Sequence, residues 1–180
     1  FYVVQNGGAA RSYGLETSID GRPTDALHYT VGYTYTHATV TEDVVSPLGT
    51  TLALDGARLP GTARHALTLS ADYTWQLGGD VKLVARGSGY YQSGTRNAIG
   101  GPTFNTAISG FQIWNTSATL SKGPWGATLF VKNIFNEEGV TGEFTEAYMG
   151  TAPGVGYFGN GSKEFISLPR TIGLSIDYSF

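Results

Sequence analysis

Apolar and polar residues alternate along several stretches of the chain, most strictly in the last one, which begins at Arg170. One parity of that stretch holds only apolar or aromatic side chains, at Ile172, Leu174, Ile176, Tyr178 and Phe180. The other parity holds only small or polar residues. A period of two residues separates the faces of a β-strand, and helical spacing cannot produce it. The stretch therefore predicts a strand with one apolar face.

The same alternation recurs upstream and predicts further strands. It is clear at residues 13–20, 26–37 and 63–75 and noisier at 81–91, 114–120 and 126–135. The opening residues 1–4 (FYVV) also have strand composition. Together these segments predict an all-β chain of about eight strands without a helix.

The predicted connections differ in length in a regular way. Short turns rich in Gly and Pro are expected at residues 20–25, 77–80 and 121–126. Long connections are expected at about 41–62, 94–110 and 136–169. In an antiparallel meander this alternation gathers the short turns at one end and the long loops at the other, which is the layout of outer-membrane barrels. A soluble β-sandwich has no reason to sort its loops by length.

Composition supports a chain that meets lipid. Charged residues make up 14% of the sequence, against about 25% in soluble domains. No run of about 18 apolar residues is present, but a transmembrane strand needs only about 9–11 residues, half of them apolar. Tyr73, Trp75, Trp125 and Tyr178 lie near predicted strand ends, where an interfacial aromatic girdle belongs. The net charge of −3 gives no support to a nucleic-acid partner.

Few residues suggest reaction chemistry. The chain has no Cys, and its three His residues, His28, His37 and His65, are not paired at metal-ligand spacing. We assign them polar or interfacial roles, with His28 on the lumen parity. No nucleophile arrangement is visible. The sequence therefore predicts no enzyme, metal site or cofactor.

The long loops hold the ligand-binding candidates. Residues 136–168 carry a charge of −4 and residues 41–62 a charge of −2, whereas residues 94–110 add +1 from Arg96. This acidic sum mildly disfavours an anionic ligand. Aromatic side chains able to stack on a sugar or aromatic group are also present, although packing between loops would explain them equally well. The candidates are Arg96, Phe144, Glu146, Tyr148, Tyr157 and Phe158.

Four segments together resemble the barrel of TonB-dependent receptors: residues 5–20, 59–73, 131–139 and 168–180. The last, LPRTIGLSIDYSF, resembles the family's closing strand, and VKNIFNEEG resembles its penultimate strand. Ile134 stands where the family usually has Leu, Asn136 where it has Asp, and Ala63 where a second Pro is common. The four segments occur in the expected order and span almost the whole chain.

This resemblance implies an outer-membrane location in a Gram-negative bacterium and a large barrel of which residues 1–180 form a single C-terminal region, without the plug domain. It implies import of a scarce nutrient, such as a siderophore, haem, cobalamin or an oligosaccharide. The implied partners are outer-membrane lipid, the TonB complex acting through the plug, and the outer-membrane assembly machinery. Tyr178 and Phe180 would form the signal which that machinery reads.

Two other readings remain open from the residues alone. One is a complete, closed eight-stranded outer-membrane barrel with a structural or adhesion role. The other is a soluble β-sandwich binding module or an outer-membrane enzyme.

Overall fold

The computed structural model describes residues 8–99, 105–145 and 162–180, and all regular secondary structure in this part of the chain is β-strand. No helix in it is long and apolar enough to cross a membrane. The 13 strands are β1 (Ala10–Gly21), β2 (Leu27–Val40), β3 (Val44–Val45), β4 (Thr51–Ala53), β5 (His65–Gly78), β6 (Val81–Gln92), β7 (Thr95–Arg96), β8 (Ala107–Ile108), β9 (Phe111–Lys122), β10 (Trp125–Lys132), β11 (Val140–Thr145), β12 (Ser162–Ile166) and β13 (Thr171–Tyr178).

Seven long strands form one antiparallel sheet in the order β1-β2-β5-β6-β9-β10-β13. Each is paired with the next long strand in the chain, so the predicted meander is confirmed. Short turns join β1 to β2, β5 to β6 and β9 to β10, whereas long connections join the other pairs. The predicted eighth strand, at residues 1–4, lies outside the described residues.

The long connections contain structure that the sequence pattern did not predict. A small two-stranded hairpin forms in each: β3 with β4, β7 with β8, and β11 with β12. Segments of two to six residues are too short for alternation to be recognisable. The prediction of plain loops there was incomplete for this reason.

The strand register places the apolar alternate residues of all the long strands on one face of the sheet. Ile19 lies opposite Val31, and Val31 lies opposite Leu69. At the other edge, Ala127 lies opposite Ile176, and Leu129 opposite Leu174. Cross-strand partners share a face, so the alternation within each strand adds up to a continuous apolar surface.

No part of the described chain covers this apolar surface. Leu129, Leu174 and Ile176 are 55%, 65% and 66% exposed. The buried hydrophobic cluster lies instead in the first long connection and the end of β2, around Val40 and Val44. A soluble sheet would hide its apolar face in a core, so this surface requires an apolar solvent.

Aromatic rings line the turn end of the apolar face. Tyr73 and Trp75 have ring centroids 4.4 Å apart, and Trp125 and Tyr178 meet edge to face at 4.8 Å. Phe180 follows at 5.2 Å from Tyr178. The Tyr and Trp rings combine apolar faces with polar tips, as an interfacial girdle requires.

The described sheet is not closed into a barrel. β1 pairs only with β2 and β13 only with β10, so both present an unpaired edge within the described residues. The arrangement is an antiparallel segment of barrel wall, as predicted, and not a closed eight-stranded barrel.

Candidate ligand site at the loop end of the sheet

The first long connection folds back along the end of β2. The amide of Val40 donates to the carbonyl of Ala57 at 2.9 Å, and the amide of Leu59 donates to the carbonyl of Ala38 at 3.1 Å. These bonds fix the backbone on both sides of Arg58. The backbone of Arg58 is therefore held in place against the sheet.

The guanidinium of Arg58 ties two connections together. Its Nη2 donates to the carbonyl of Thr62 at 2.9 Å and to the carbonyl of Gly94 at 3.1 Å. Thr62 belongs to the connection after β2, and Gly94 to the connection after β6. Arg58 is thus half-buried between the two loops while keeping its charge.

Two further arginines approach the same place from neighbouring segments. Arg64 directly precedes β5, and its carbonyl accepts a hydrogen bond from the amide of Thr36 at 2.9 Å. Arg96 lies in β7, and its Nη1 donates to the carbonyl of Asn105 at 3.4 Å.

These three arginines line one cavity of about 410 Å³, which we call the arginine cavity. Its remaining lining comes from His65, Ser93, Gly94, Thr95, Ala107 and Ile108. Burial, and then the nearby charges of Arg64 and Arg96, lower the pKa of Arg58 from its ordinary value. An arginine still stays protonated at neutral pH, so the cavity concentrates positive charge.

No carboxylate neutralises this cluster within the described residues, where the salt bridges recorded all involve His28. A smaller cavity of about 160 Å³ adjoins it and is lined by both Arg96 and Glu143. One oxygen of Glu143 accepts a hydrogen bond from the hydroxyl of Thr106 at 2.5 Å. The acidic group therefore lies beside the arginine cavity and outside its lining.

The donor set of the arginine cavity suits an anion. Guanidinium groups donate several hydrogen bonds in a planar fork that matches carboxylates and phosphates. They cannot ligate a metal ion. No group of three or more His, Cys, Asp or Glu residues positioned for a metal occurs in the described part of the chain.

A second cavity, of about 400 Å³, lies on the polar face of the sheet. Its lining includes Asp72, Arg86, Lys132, Asn115 and Phe130. Asp72 and Arg86 are cross-strand partners in β5 and β6. The face opposite the apolar surface is therefore polar and charged of both signs, as a barrel lumen requires.

His28 has the polar role predicted for it. Its Nε2 lies 2.9 Å from Oδ2 of Asp20, and its Nδ1 lies 3.4 Å from Oδ1 of Asp72. The hydroxyl of Thr30 donates to the same Asp20 oxygen at 2.8 Å. These four side chains link β1, β2 and β5 on the polar face of the sheet.

His37 and His65 lie near strand ends on the opposite parity, among tyrosines. The ring of His37 stacks on Tyr13 at 4.9 Å. The Nδ1 of His65 is 2.8 Å from the hydroxyl of Tyr33. Both contacts fit the predicted interfacial role.

The structure describes only part of the predicted ligand set. Arg96 lines both loop cavities. Phe144 lies in β11, but its side chain is outside the described part, as are the residues Glu146, Tyr148, Tyr157 and Phe158. Their role in binding stays a prediction.

Sequence reasoning missed Arg58 and Arg64 as site residues. Arg58 entered only as one charge in a loop, and Arg64 as part of the approach to β5. The negative sum of the loop charges did not reveal this local gathering of positive charge, because folding brings the three arginines to one cavity while Glu143 lies in the adjoining one. The spacing of Arg58, Arg64 and Arg96 holds no signal of this, since the loop backbone brings them together.

Comparison with known families decides the assignment. The family model described as "TonB dependent receptor-like, beta-barrel" matches residues 1–136. The chain belongs to the TonB-dependent receptor family. The resemblance to this family is thereby confirmed, and so is the outer-membrane location in a Gram-negative bacterium.

Known members show how much of a receptor this chain covers. It is 30% identical over 137 residues to the ferric-pyoverdine M114 receptor PbuA of Pseudomonas sp. (strain M114), a match covering 73% of this chain and 15% of that protein. The chain therefore spans well under a quarter of the length of this relative.

Solved structures agree on the fold. The ferric yersiniabactin uptake receptor FyuA from Yersinia pestis matches with a TM-score of 0.72 and 13% identity, covering 97% of this chain and 24% of that one. The siderophore receptor PiuA from Acinetobacter baumannii matches with a TM-score of 0.68 and 15% identity, covering 94% and 22%. At these identities the likeness supports the barrel-wall architecture alone.

Proposed function

We propose that this chain is the C-terminal part of the barrel of a receptor that imports a ferric siderophore across the outer membrane. The observation that carries the proposal is the 30% identity to a ferric-pyoverdine receptor over 73% of the chain. Haem, cobalamin and oligosaccharides are the competing substrates within the same family.

The described residues fit this role. The apolar face is turned to lipid, and the opposite face offers a polar wall with Asp72, Arg86 and Lys132 around a cavity of about 400 Å³. The long connections meet at one end of the sheet, which is the extracellular end in outer-membrane barrels. A polar ligand arriving from outside would meet these loops first.

Energy and assembly would come from partners outside this chain. In the proposed receptor, a plug domain couples to the TonB complex, and the outer-membrane assembly machinery recognises Tyr178 and Phe180. Ligand contacts at Phe144, Glu146, Tyr148, Tyr157 and Phe158 belong to the same proposal.

The test is iron accumulation in cells. The full-length receptor is expressed in a Gram-negative strain that lacks its own siderophore receptors, and radiolabelled iron is supplied as a panel of siderophore complexes. We expect accumulation of at least one complex, lost in an otherwise identical strain without TonB. Receptor-dependent uptake of haem, cobalamin or an oligosaccharide, with no ferric complex accumulated, would overturn the proposed substrate class.

A further inference from the structure

The arginine cavity is the strongest feature that the family assignment leaves unexplained. Three guanidinium groups from separate segments of the chain line one space of about 410 Å³. Like charges repel, so their gathering costs free energy unless something of opposite charge is bound.

Within the described residues, two of the arginines donate side-chain hydrogen bonds to carbonyl oxygens alone. Arg58 donates to Thr62 and Gly94, and Arg96 donates to Asn105. A carbonyl satisfies an N–H group without neutralising the charge. Each guanidinium also has more N–H groups than these bonds use, which leaves donors for a ligand.

The surroundings favour binding over simple hydration. Thr95 and Ile108 in the cavity wall are buried, at 7% and 6% exposure, so part of the wall excludes water. Arg64 is exposed and directly precedes β5. A charge-assisted hydrogen bond is stronger where water is partly excluded.

We infer that Arg58, Arg64 and Arg96 form an anion-recognition site and that the imported complex carries negatively charged groups on its surface. Carboxylates or catecholate oxygens of a ferric siderophore are the chemical class that fits. This inference rests on the proposed function, since it names the charge of the ligand that the receptor takes.

The test compares two ferric complexes of opposite character on the purified full-length receptor. One is a net anionic ferric tris-catecholate, and the other is an uncharged ferric trihydroxamate. The variants are Arg64→Gln and Arg96→Gln, because Arg58 also holds the loops together. Arg22→Gln is the matched control, since Arg22 is an exposed arginine in the turn between β1 and β2, at the opposite end of the sheet.

We expect the wild-type receptor to bind the anionic complex more tightly than the uncharged one. We also expect its affinity for the anionic complex to fall as salt is added. Arg64→Gln and Arg96→Gln should each weaken that binding about tenfold or more, as expected for the loss of a hydrogen bond to a charged group. Arg22→Gln should leave it unchanged, and Arg64→Lys should recover part of it.

Three outcomes would overturn the inference. One is an equal loss of affinity for both complexes in the arginine variants, which would mean that the cavity recognises the shape of the ligand and not its charge. Another is iron uptake that depends on the receptor while neither arginine variant changes binding, which would leave the proposed function standing. The third is a wild-type receptor that takes up no ferric complex in cells, which would overturn both proposals together.

Discussion

At the scale of single residues, Asn133 does more than its place in a family motif suggests. It has a positive φ of 50° and is 3% exposed. Its Nδ2 donates to the carbonyls of Glu137 and Leu168, both at 2.9 Å, and its Oδ1 accepts from the amide of Glu137 at 2.9 Å. One side chain thus closes the turn after β10 and ties it to the segment before β13.

Replacing Asn133 by Ala should be markedly destabilising. The change removes three part-buried hydrogen bonds, and the Glu137 amide and the Leu168 carbonyl lose their Asn133 partner, at a cost of about 2–4 kcal/mol. Asn136→Ala is the matched control, because Asn136 also has a positive φ of 53° but its side chain accepts a single bond, from the amide of Arg170. The measurement is the denaturant midpoint of the refolded full-length receptor. Equal midpoints for the two variants would contradict the role assigned to Asn133.

Phe180 is expected to act in assembly and not in ligand binding. Its ring meets that of Tyr178 at the turn end of the apolar face, far from the loop cavities in the strand order. Deleting Phe180 should lower the amount of folded receptor in the outer membrane while the molecules that fold keep the wild-type affinity. Blotting of heat-modifiable receptor, with ligand titration of the purified protein, measures both. A changed affinity at an unchanged folded level would refute this.

At the scale of elements, the alternation of apolar and polar residues was sufficient to predict the seven long strands. The predicted segment 63–75 corresponds to β5 (His65–Gly78), and 81–91 corresponds to β6 (Val81–Gln92). A strand with one apolar and one polar face must alternate apolar and polar residues, so it can be recognised in the sequence. For the noisier strands, only the register shows which residues face the apolar side. Gly89 of β6, for example, lies opposite Leu69 of β5 and therefore shares its face.

The candidate site was much less predictable than the strands. Of the three arginines in the cavity, only Arg96 was chosen from the sequence. The approach of Arg58 depends on backbone bonds such as that between Val40 and Ala57, for which no sequence period exists. Loop positions are set by tertiary hydrogen bonds. Composition alone gave the net charge of the loops but not the charge of the cavity that they form.

The two kinds of connection should lie on opposite sides of the membrane. Gly49 lies between β3 and β4 in a long connection, beside Leu48, which is 93% exposed. Gly123 lies in the short turn between β9 and β10 and has a positive φ of 52°. A peptide tag inserted at Gly49 should be labelled by antibody on intact cells, and a tag at Gly123 only after the outer membrane is opened. Labelling of Gly123 on intact cells would reverse the topology.

At the scale of the whole molecule, the open edges decide what this chain can do alone. β1 and β13 each leave one side of their backbone unpaired within the described sheet. In lipid an unpaired edge has no water to satisfy its N–H and C=O groups, and each such group costs several kcal/mol. The segment therefore needs the remainder of a barrel to complete its wall.

Refolding the isolated 180-residue chain into lipid vesicles should accordingly fail to give a protease-resistant, heat-modifiable species. The full-length receptor, refolded in parallel, should give one. A resistant barrel from the isolated chain would contradict the barrel-wall account and would revive the closed small-barrel alternative.

The central claim is that one face of the sheet meets lipid and the other lines the lumen. It is tested most directly by two neighbouring substitutions in β13. Leu174, opposite Leu129, belongs to the apolar face, and Ser175, opposite Thr128, belongs to the polar face. A charge on the lipid face near the membrane centre costs about 2–4 kcal/mol, whereas lumen positions tolerate polarity. In quantitative blots of outer-membrane fractions, Leu174→Arg should therefore reduce the folded full-length receptor far more than Ser175→Arg. Equal folded levels for the two variants would contradict the assignment of the faces and, with it, the barrel account.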